Sequence, residues 1–524
     1  MPRVLISDEL SPAAMEIFKA RGLEVDFQPG LSKAQLLAII GDYDGLAVRS
    51  ATKADKEVIA AGARLKVIGR AGIGVDNIDI PAATAKGVVV MNTPYGNSIT
   101  TAEHAIALMF AAARQLAAAD ASTQAGKWEK NRFLGAELFA KTLGIIGCGN
   151  IGAIVADRAL GLKMKVIAYD PYLTAERAIE LGVEKVELDA LLARADVISL
   201  HTPLTDKTRN ILSAEALGRT KRGVMIVNAA RGGLLDEAAL RAGLESGQIS
   251  AAGIDVFTTE PAKENVLFGA PNLVATPHLG ASTSEAQENV ALQVAEQMSD
   301  YLLTGAVSNA LNMPSVTADE APRLRPWAAL AEKLGLLAGQ LLDGAFEKID
   351  VAYEGHVAAL NIKPLTAAAL AGVLRPQLAE VNMVSAPAMA KERGITLSES
   401  RQESASVYDS VLRICITAAG RELSVAGTLF GAEPRIIEAE GMALEAPFAP
   451  FMLYVKNEDK PGMIGRLGTL LGEAKVNVAT FHLGRLGQGQ TAAALLGVDA
   501  PIEPMVLNAV RALNLVVSAR TLAF

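Results

Sequence analysis

The sequence predicts an α/β fold of two doubly wound parallel-sheet lobes, followed by an α+β segment and a small βαββαβ unit. Three observations predict it. As far as Met91, short apolar runs alternate with helical patterns, which is how a parallel sheet covered on both faces reads. The stretch Lys141–Gly152, KTLGIIGCGNIG, passes from an apolar strand into a helix through glycines at G-x-G-x-x-G spacing. From Phe451 to Phe524 the pattern becomes strand, helix, strand, strand, helix, strand.

Bulk properties narrow the function class. At 524 residues the chain is too long for one core, and about three or four domains are expected. With 51% hydrophobic and 20% charged residues it is globular. A net charge of −8 speaks against a nucleic-acid surface. The best apolar run, Ala105–Ala113, is cut by Arg114, so no membrane span is expected. Two cysteines, Cys148 and Cys415, give neither a disulfide framework nor a thiolate metal site. The strand-like opening MPRVLISDEL lacks a signal-peptide core, and a cytoplasmic location is expected.

In the first lobe the strands are Val4–Ile6, a second around Val25 and Phe27, Gly45–Val48, Leu65–Ile68 and Val88–Met91. Ser11-Pro12 is an N-cap followed by an N1 proline, and Leu31–Ile40 is helical. Ligands bind beyond the carboxyl ends of such strands. Those ends carry Arg49-Ser50, the run Arg70-Ala71-Gly72-Ile73-Gly74, and Asn92-Thr93-Pro94. Arg49 and Arg70 thus stand where an anion could be held, each offering a planar fork of donors. Ser98–Leu116 reads as a long helix crossing between lobes. Lys127–Leu134 is a polar, aromatic-bearing excursion that could cap a partner subunit.

In the nucleotide lobe each glycine has a physical task. Gly147 allows the tight turn, Gly149 lets backbone approach a pyrophosphate, and Gly152 lets the helix pack on the strand. The helix N-terminus offers free N–H groups to phosphate. The next strand, Lys165–Tyr169, ends in Asp170, near the spacing of a ribose-binding acid. A carboxylate there accepts from both ribose hydroxyls and repels a 2′-phosphate, so the expected cofactor is NAD rather than NADP. Strands at Asp196–His201, Gly223–Val227, Gly253–Val256 and Leu273–Ala275 follow, then a helix Ser282–Leu303 leading back to the first lobe. Met313 to about Pro447 mixes strand and helix signals without a chemical cluster, and His356 and Cys415 stand alone there. In the last unit the strands are Phe451–Val455, Val476–Thr480, Thr491–Val498 and Leu515–Val517. NEDKPG (Asn457–Gly462) forms a turn, and helices lie at Met463–Glu473 and Pro504–Leu513. The expected division is 1–96 with 284–312 as a flavodoxin-like substrate lobe and 97–283 as a Rossmann NAD lobe. Residues 313–447 form an intervening α+β domain, and 448–524 a ferredoxin-like regulatory domain.

Three further strand-end residues, Arg231, Glu260 and His278, are expected to converge on the cofactor cleft. Moving a hydride from a secondary alcohol needs a base for the hydroxyl proton, a holder for the substrate carboxylate, and a group that tunes the base. Histidine suits the first, bidentate arginine the second, and a carboxylate beside the imidazole the third.

The words GRAGIGVDNID, MNTPYGNSITTAEH, LGIIGCGNIG, NAARGGLLDE, GIDVFTTEP and TPHLGAST cover Arg70–Thr283 almost continuously. On them the sequence resembles the D-isomer-specific 2-hydroxyacid dehydrogenases, and within them the long-form branch that oxidises 3-phospho-D-glycerate in L-serine biosynthesis. The resemblance implies Arg231, Glu260 and His278 as the catalytic set. It implies NAD contacts from Gly147, Gly149, Asn150, Ile151, Gly152, Asp170, Thr202, Ala229, Ala230, Arg231, Asp255, His278, Gly280 and Ala281. Substrate contacts would come from Arg49, Ser50, Arg70, Gly72, Ile73, Asn97, Arg231 and His278. The last unit resembles an ACT domain, a module that binds amino acids between paired copies. That implies L-serine as effector at Asn457, Asp459 and Asn477, and a homotetramer. No metal site, nucleic-acid partner or membrane partner is expected. Alternative readings are a dehydrogenase of the glyoxylate or D-lactate type, an NAD-sensing corepressor-like scaffold, and a C-terminal half that senses amino acids independently.

Overall fold

The structure is a computed structural model that describes residues 1–378, 381–403 and 407–524. Its first sheet contains β1 (Arg3–Ile6), β2 (Glu24–Phe27), β3 (Gly45–Val48), β4 (Val67–Arg70) and β5 (Val89–Met91), all parallel, in the order β2-β1-β3-β4-β5. That is the flavodoxin-like order, with its switch point between β1 and β3. β3 and β5 are buried along their whole length, because helices cover both faces. Phe18, Val294 and Met298 pack on one side, and Leu36, Val58 and Ala83 on the other. Ser11 caps the helix Pro12–Ala20 as its sequence predicts, and Ser32 with Gln35 forms a capping box on Lys33–Ile39.

The second sheet holds β6 (Thr142–Ile146), β7 (Lys165–Tyr169), β8 (Glu184–Lys185), β9 (Val197–Leu200), β10 (Val224–Asn228), β11 (Ile249–Ile254) and β12 (Leu273–Ala275). Its order, β12-β11-β10-β9-β6-β7-β8, is the Rossmann order with one strand added. The expected Ser98–Leu116 helix ends at Arg114, because Gln115 turns left-handed (φ 51°), and a second helix, Leu116–Gln124, follows. The helix Ser284–Thr304 returns to the first lobe, where Met298 lies so close to Gly69 that a Cβ there would stand 2.2 Å from its sulfur.

The third sheet is mixed. It comprises β13 (Phe346–Gly355), β14 (Thr396–Gln402), β15 (Ser410–Ala418), β16 (Arg421–Phe430), β17 (Glu433–Ala439) and β18 (Met442–Pro447), in the order β14-β13-β15-β16-β17-β18. Two helices, Ala321–Leu341 and Ile362–Leu374, meet backbone to backbone through Gly335, Gly339 and Gly372. A Cβ on Gly335 would lie 2.2 Å from the Ala369 carbonyl. The fourth sheet, β19 (Phe451–Glu458), β20 (Val478–Arg485), β21 (Thr491–Val498) and β22 (Val516–Ala523), runs β20-β21-β19-β22, the ferredoxin-like arrangement. Its strand ends correct the sequence reading. β19 takes Asn457 and Glu458 from the expected turn, pairing them with Ala492 and Thr491. β20 starts two residues later than expected and continues to Arg485, and β22 extends to Ala523. Among the described residues, no helix is long and apolar enough to cross a membrane.

Candidate active site

The glycine loop is built as its spacing predicts. Gly147 has φ +92°, and a Cβ on it would meet the His201 carbonyl at 2.5 Å. On Gly152 a Cβ would meet the Gly147 carbonyl at 2.1 Å, so the helix Asn150–Gly161 approaches β6 only because that position is bare. Around Gly149 there is open space within 4 Å, and no side chain caps the helix that begins at Asn150 and Ile151. Asp170, at the end of β7, accepts from the Cys148 N–H and the Tyr172 N–H, each at 2.8 Å, which fixes its carboxylate beside the loop. Open backbone, an uncapped helix start and an anchored acid fit a dinucleotide. Thr202, Ala229 and Ala230 lie just beyond the ends of β9 and β10. Asn228, which sequence reasoning did not single out, shapes that loop by accepting from the Ala230 N–H and donating to the Arg231 carbonyl.

Between the two lobes lies a cleft of about 750 Å³. His278, about half exposed, faces it with Glu260, Ala281 and Asn97, opposite Arg49, Ser50, Arg70 and Gly72. His278 Nδ1 is 2.6 Å from Glu260 Oε2, and Glu260 Oε1 accepts from the Phe257 N–H at 2.9 Å. Burial pushes the Glu260 carboxyl up, but His278 and the Phe257 N–H outweigh it and hold the group below the usual range. An ionised carboxylate only accepts, so Nδ1 carries the proton and Nε2 is left to act on a ligand.

The turn carrying His278 is clamped from beneath. Asp255 is fully buried; its oxygens accept from Thr276 Oγ1 at 2.6 Å, the Leu279 N–H at 2.7 Å and the Gly280 N–H at 2.8 Å. His104 Nε2 lies 3.2 Å from Asp255 Oδ1. Burial raises the Asp255 carboxyl, yet His104, Thr276 and the Leu279 N–H together hold it low. The structure therefore places Asp255 under the cleft rather than on its wall, and adds His104 and Thr276 as its partners. No local pattern in the sequence marks that trio, because it joins residues from a helix and two strand ends.

On the first lobe, Asp8 organises the anion-facing loop: its carboxylate accepts from the N–H groups of Arg49, Ala51 and Thr52. Asn77 ties the same loop down through the Arg49 and Thr52 carbonyls. Gly72 (φ +142°) lies against the Arg70 guanidinium, and its N–H donates to Thr93 Oγ1. Ile73 presents its carbonyl to Asn92 and is not on the cleft wall. Arg70 Nε and Asn97 Oδ1 are both buried and lack a partner. Burial, with Arg231 and Arg49 nearby, pushes the Arg70 guanidinium down to about 10. Arg231 is not on the wall with His278; its Nε donates to Asp76 Oδ2 at 3.1 Å and its Nη1 to the Ala230 carbonyl.

A second cavity, of about 410 Å³, lies in the last unit. Asn457 and Asp459 line it with Lys460, Met463, Phe481 and Arg485. Asp459 accepts from the Gly489 N–H at 3.2 Å. Asn477 is not brought to this cavity within the chain: it is exposed and donates to Asp499 at 2.7 Å. It sits before β20, whose Val478 pairs with Val498 at one end of β21, whereas Asn457 pairs with Ala492 near the other. Among the described residues, no group of three or more His, Cys, Asp or Glu side chains could hold a metal ion.

Comparison with known proteins places this geometry. Residues 106–280 match the model of the D-isomer specific 2-hydroxyacid dehydrogenase NAD binding domain. Residues 323–440 match that of the D-3-phosphoglycerate dehydrogenase intervening domain. A glyoxylate reductase from Paecilomyes thermophila superposes with a TM-score of 0.56 at 33% identity, covering 59% of this chain and 98% of its own. The D-3-phosphoglycerate dehydrogenase of Synechocystis is 43% identical over 97% of this chain and 92% of its own length. That of Archaeoglobus fulgidus is 44% identical over 99% of both. With both lobes, the intervening domain and the C-terminal unit covered by such relatives, the chain belongs to the D-3-phosphoglycerate dehydrogenase family.

Proposed function

We propose that the protein catalyses NAD-dependent oxidation of 3-phospho-D-glycerate to 3-phosphooxypyruvate, the first step of L-serine biosynthesis. One observation carries the reading. Across a single cleft, the bonded His278–Glu260 pair faces Arg49 and Arg70, setting a proton acceptor opposite two cationic side chains.

NAD, when bound against Gly147–Gly152 with its ribose at Asp170, supplies the hydride acceptor. Arg49 and Arg70 hold the distal phosphate by charge, Asn97 contacts the substrate from the cleft wall, and Arg231 takes the carboxylate. His278 Nε2 receives the hydroxyl proton while Glu260, held ionised, stabilises the imidazolium. Asp255 keeps the His278 turn in place. The 1–96 with 284–312, 97–283, 313–447 and 448–524 partition is our reading of the domains.

We further propose a cytoplasmic homotetramer. We assign Asn457 and Asp459 to an amino-acid effector pocket, L-serine being the expected ligand, with Asn477 contributing from a paired copy. NADH-linked assays over a panel of 2-hydroxy and 2-keto acids, with and without L-serine, test the whole reading. Higher kcat/KM on glyoxylate or D-lactate than on 3-phosphoglycerate would replace it with the glyoxylate or D-lactate type.

A further inference from the structure

Asp76 and Arg231 belong to different lobes, and their contact decides where the carboxylate-binding guanidinium rests. Arg231 follows β10, and Asp76 lies in the loop after β4. Their ion pair joins the two lobes at 3.1 Å. It is a seated contact. A Cβ on Gly74 would stand 1.6 Å from Arg231 Nη2 and 3.0 Å from Asp76 Oδ2, so only a bare backbone at 74 admits the guanidinium there. Asp76 is on the cleft wall that carries Arg49, Arg70 and His278, whereas Arg231 is not. Without substrate, Asp76 is also a counter-charge to Arg70, whose own charge is disfavoured by burial and by Arg231.

We propose that Asp76 is a positioning residue that parks Arg231 on the Gly74 seat, away from the reacting centre, until the substrate carboxylate exchanges places with it. This rests on the proposed function. The exchange replaces one carboxylate by another on the same guanidinium, so it is nearly balanced and readily reversed. Asp76 is 69% exposed, and an exposed pair is weak, so parking lowers substrate affinity by no more than about fivefold. The parking toll itself falls on the carboxylate, so a 2-hydroxy acid without a phosphate feels it too, while the counter-charge to Arg70 weighs only on a phosphorylated ligand.

The test uses full-length protein loaded with NADH and calorimetric Kd values for 3-phospho-D-glycerate and D-glycerate, which are read without turnover. Asp76→Asn should lower the D-glycerate constant by about three- to fivefold and the 3-phospho-D-glycerate constant by at least as much. Asp76→Ser, which removes the charge with a smaller side chain, should do likewise. The parking is overturned if either constant rises or stays put, or if neither ligand binds. It is equally overturned if only the 3-phosphoglycerate constant falls, since that is the through-space effect of deleting one negative charge beside a more highly charged ligand. Turnover of 3-phosphoglycerate by the unsubstituted protein is scored separately, so loss of the functional reading and loss of the parking are distinct results.

Discussion

His278 holds a left-handed backbone (φ 56°), a conformation that costs a β-carbon residue about 1–3 kcal/mol when imposed. The turn supports it: the His278 N–H donates to the Asp255 carbonyl, and the Asp255 side chain collects the next two N–H groups. His278→Asn should lower kcat by about 10²- to 10⁴-fold while leaving NADH binding, followed by fluorescence, intact. Asp255→Asn tests the support. An amide nitrogen would face an N–H it cannot accept, at a cost of about 1–3 kcal/mol. The sign with pH follows from the depressed carboxyl. Its stabilisation is complete above the unfolded value, near pH 4, and is lost as pH falls through the lower folded value. Denaturation curves should therefore show the gap between the unsubstituted protein and Asp255→Asn at full size at pH 7 and shrinking below about pH 4. Glu260 and His278 were legible in the sequence as strand-end loop residues, and it was the resemblance carried by GIDVFTTEP and TPHLGAST that implied their roles. Asp8 and His104 were not, because they act on segments far away in the chain, and Asn228 was not, because its role is to brace the turn that directly follows it.

At the scale of elements, the glycine loop divides two tasks that the sequence motif merges. Gly152 is required by the fold, since a Cβ there would stand 2.1 Å from the Gly147 carbonyl oxygen, whereas Gly149 faces open space and is free to serve a ligand. Gly152→Ala should lose about 1–3 kcal/mol of stability from overpacking. Gly149→Ala should keep its melting temperature and raise KM for NAD. A similar melting loss in both variants would contradict this division. Most strands of the two lobes were readable as apolar runs, but β2 (EVDF) was readable only by alternation, and the two-residue edge strand β8 (Glu184–Lys185), exposed and charged, left no pattern to read. The strand ends of the last unit were not: β19 continues through Asn457 because β21 supplies a ladder partner there, whatever the turn propensity of NEDKPG.

At the scale of the molecule, the intervening and C-terminal units share one core. Met452, Tyr454, Leu495 and Leu522 bury into the cluster that holds Leu334 and Leu337. Glu440, in the β17–β18 turn, accepts from the Tyr454 hydroxyl and pairs with Lys456. Arg520 pairs with Asp343, and Phe448 meets Phe524 edge to face. A chain ending at Pro447 should therefore expose this apolar surface, bind a hydrophobic dye and melt well below the full chain. An unchanged melting curve for residues 313–447 within the truncated protein would show the two units to be independent.

The sequence by itself determined the order of the main elements in the two lobes and the last unit, the glycine loop with its ribose acid, and the residue types at the strand ends, because each is a local pattern of period, spacing or turn chemistry. Only the tertiary structure decided which of those residues meet. It set His278 on Glu260, turned Arg231 onto Asp76, hid Asp255 beneath the turn it steadies and left Asn477 apart from Asn457. Each of those outcomes depends on contacts between chain segments distant in sequence, where burial and charge choose the partner and no local propensity records the choice.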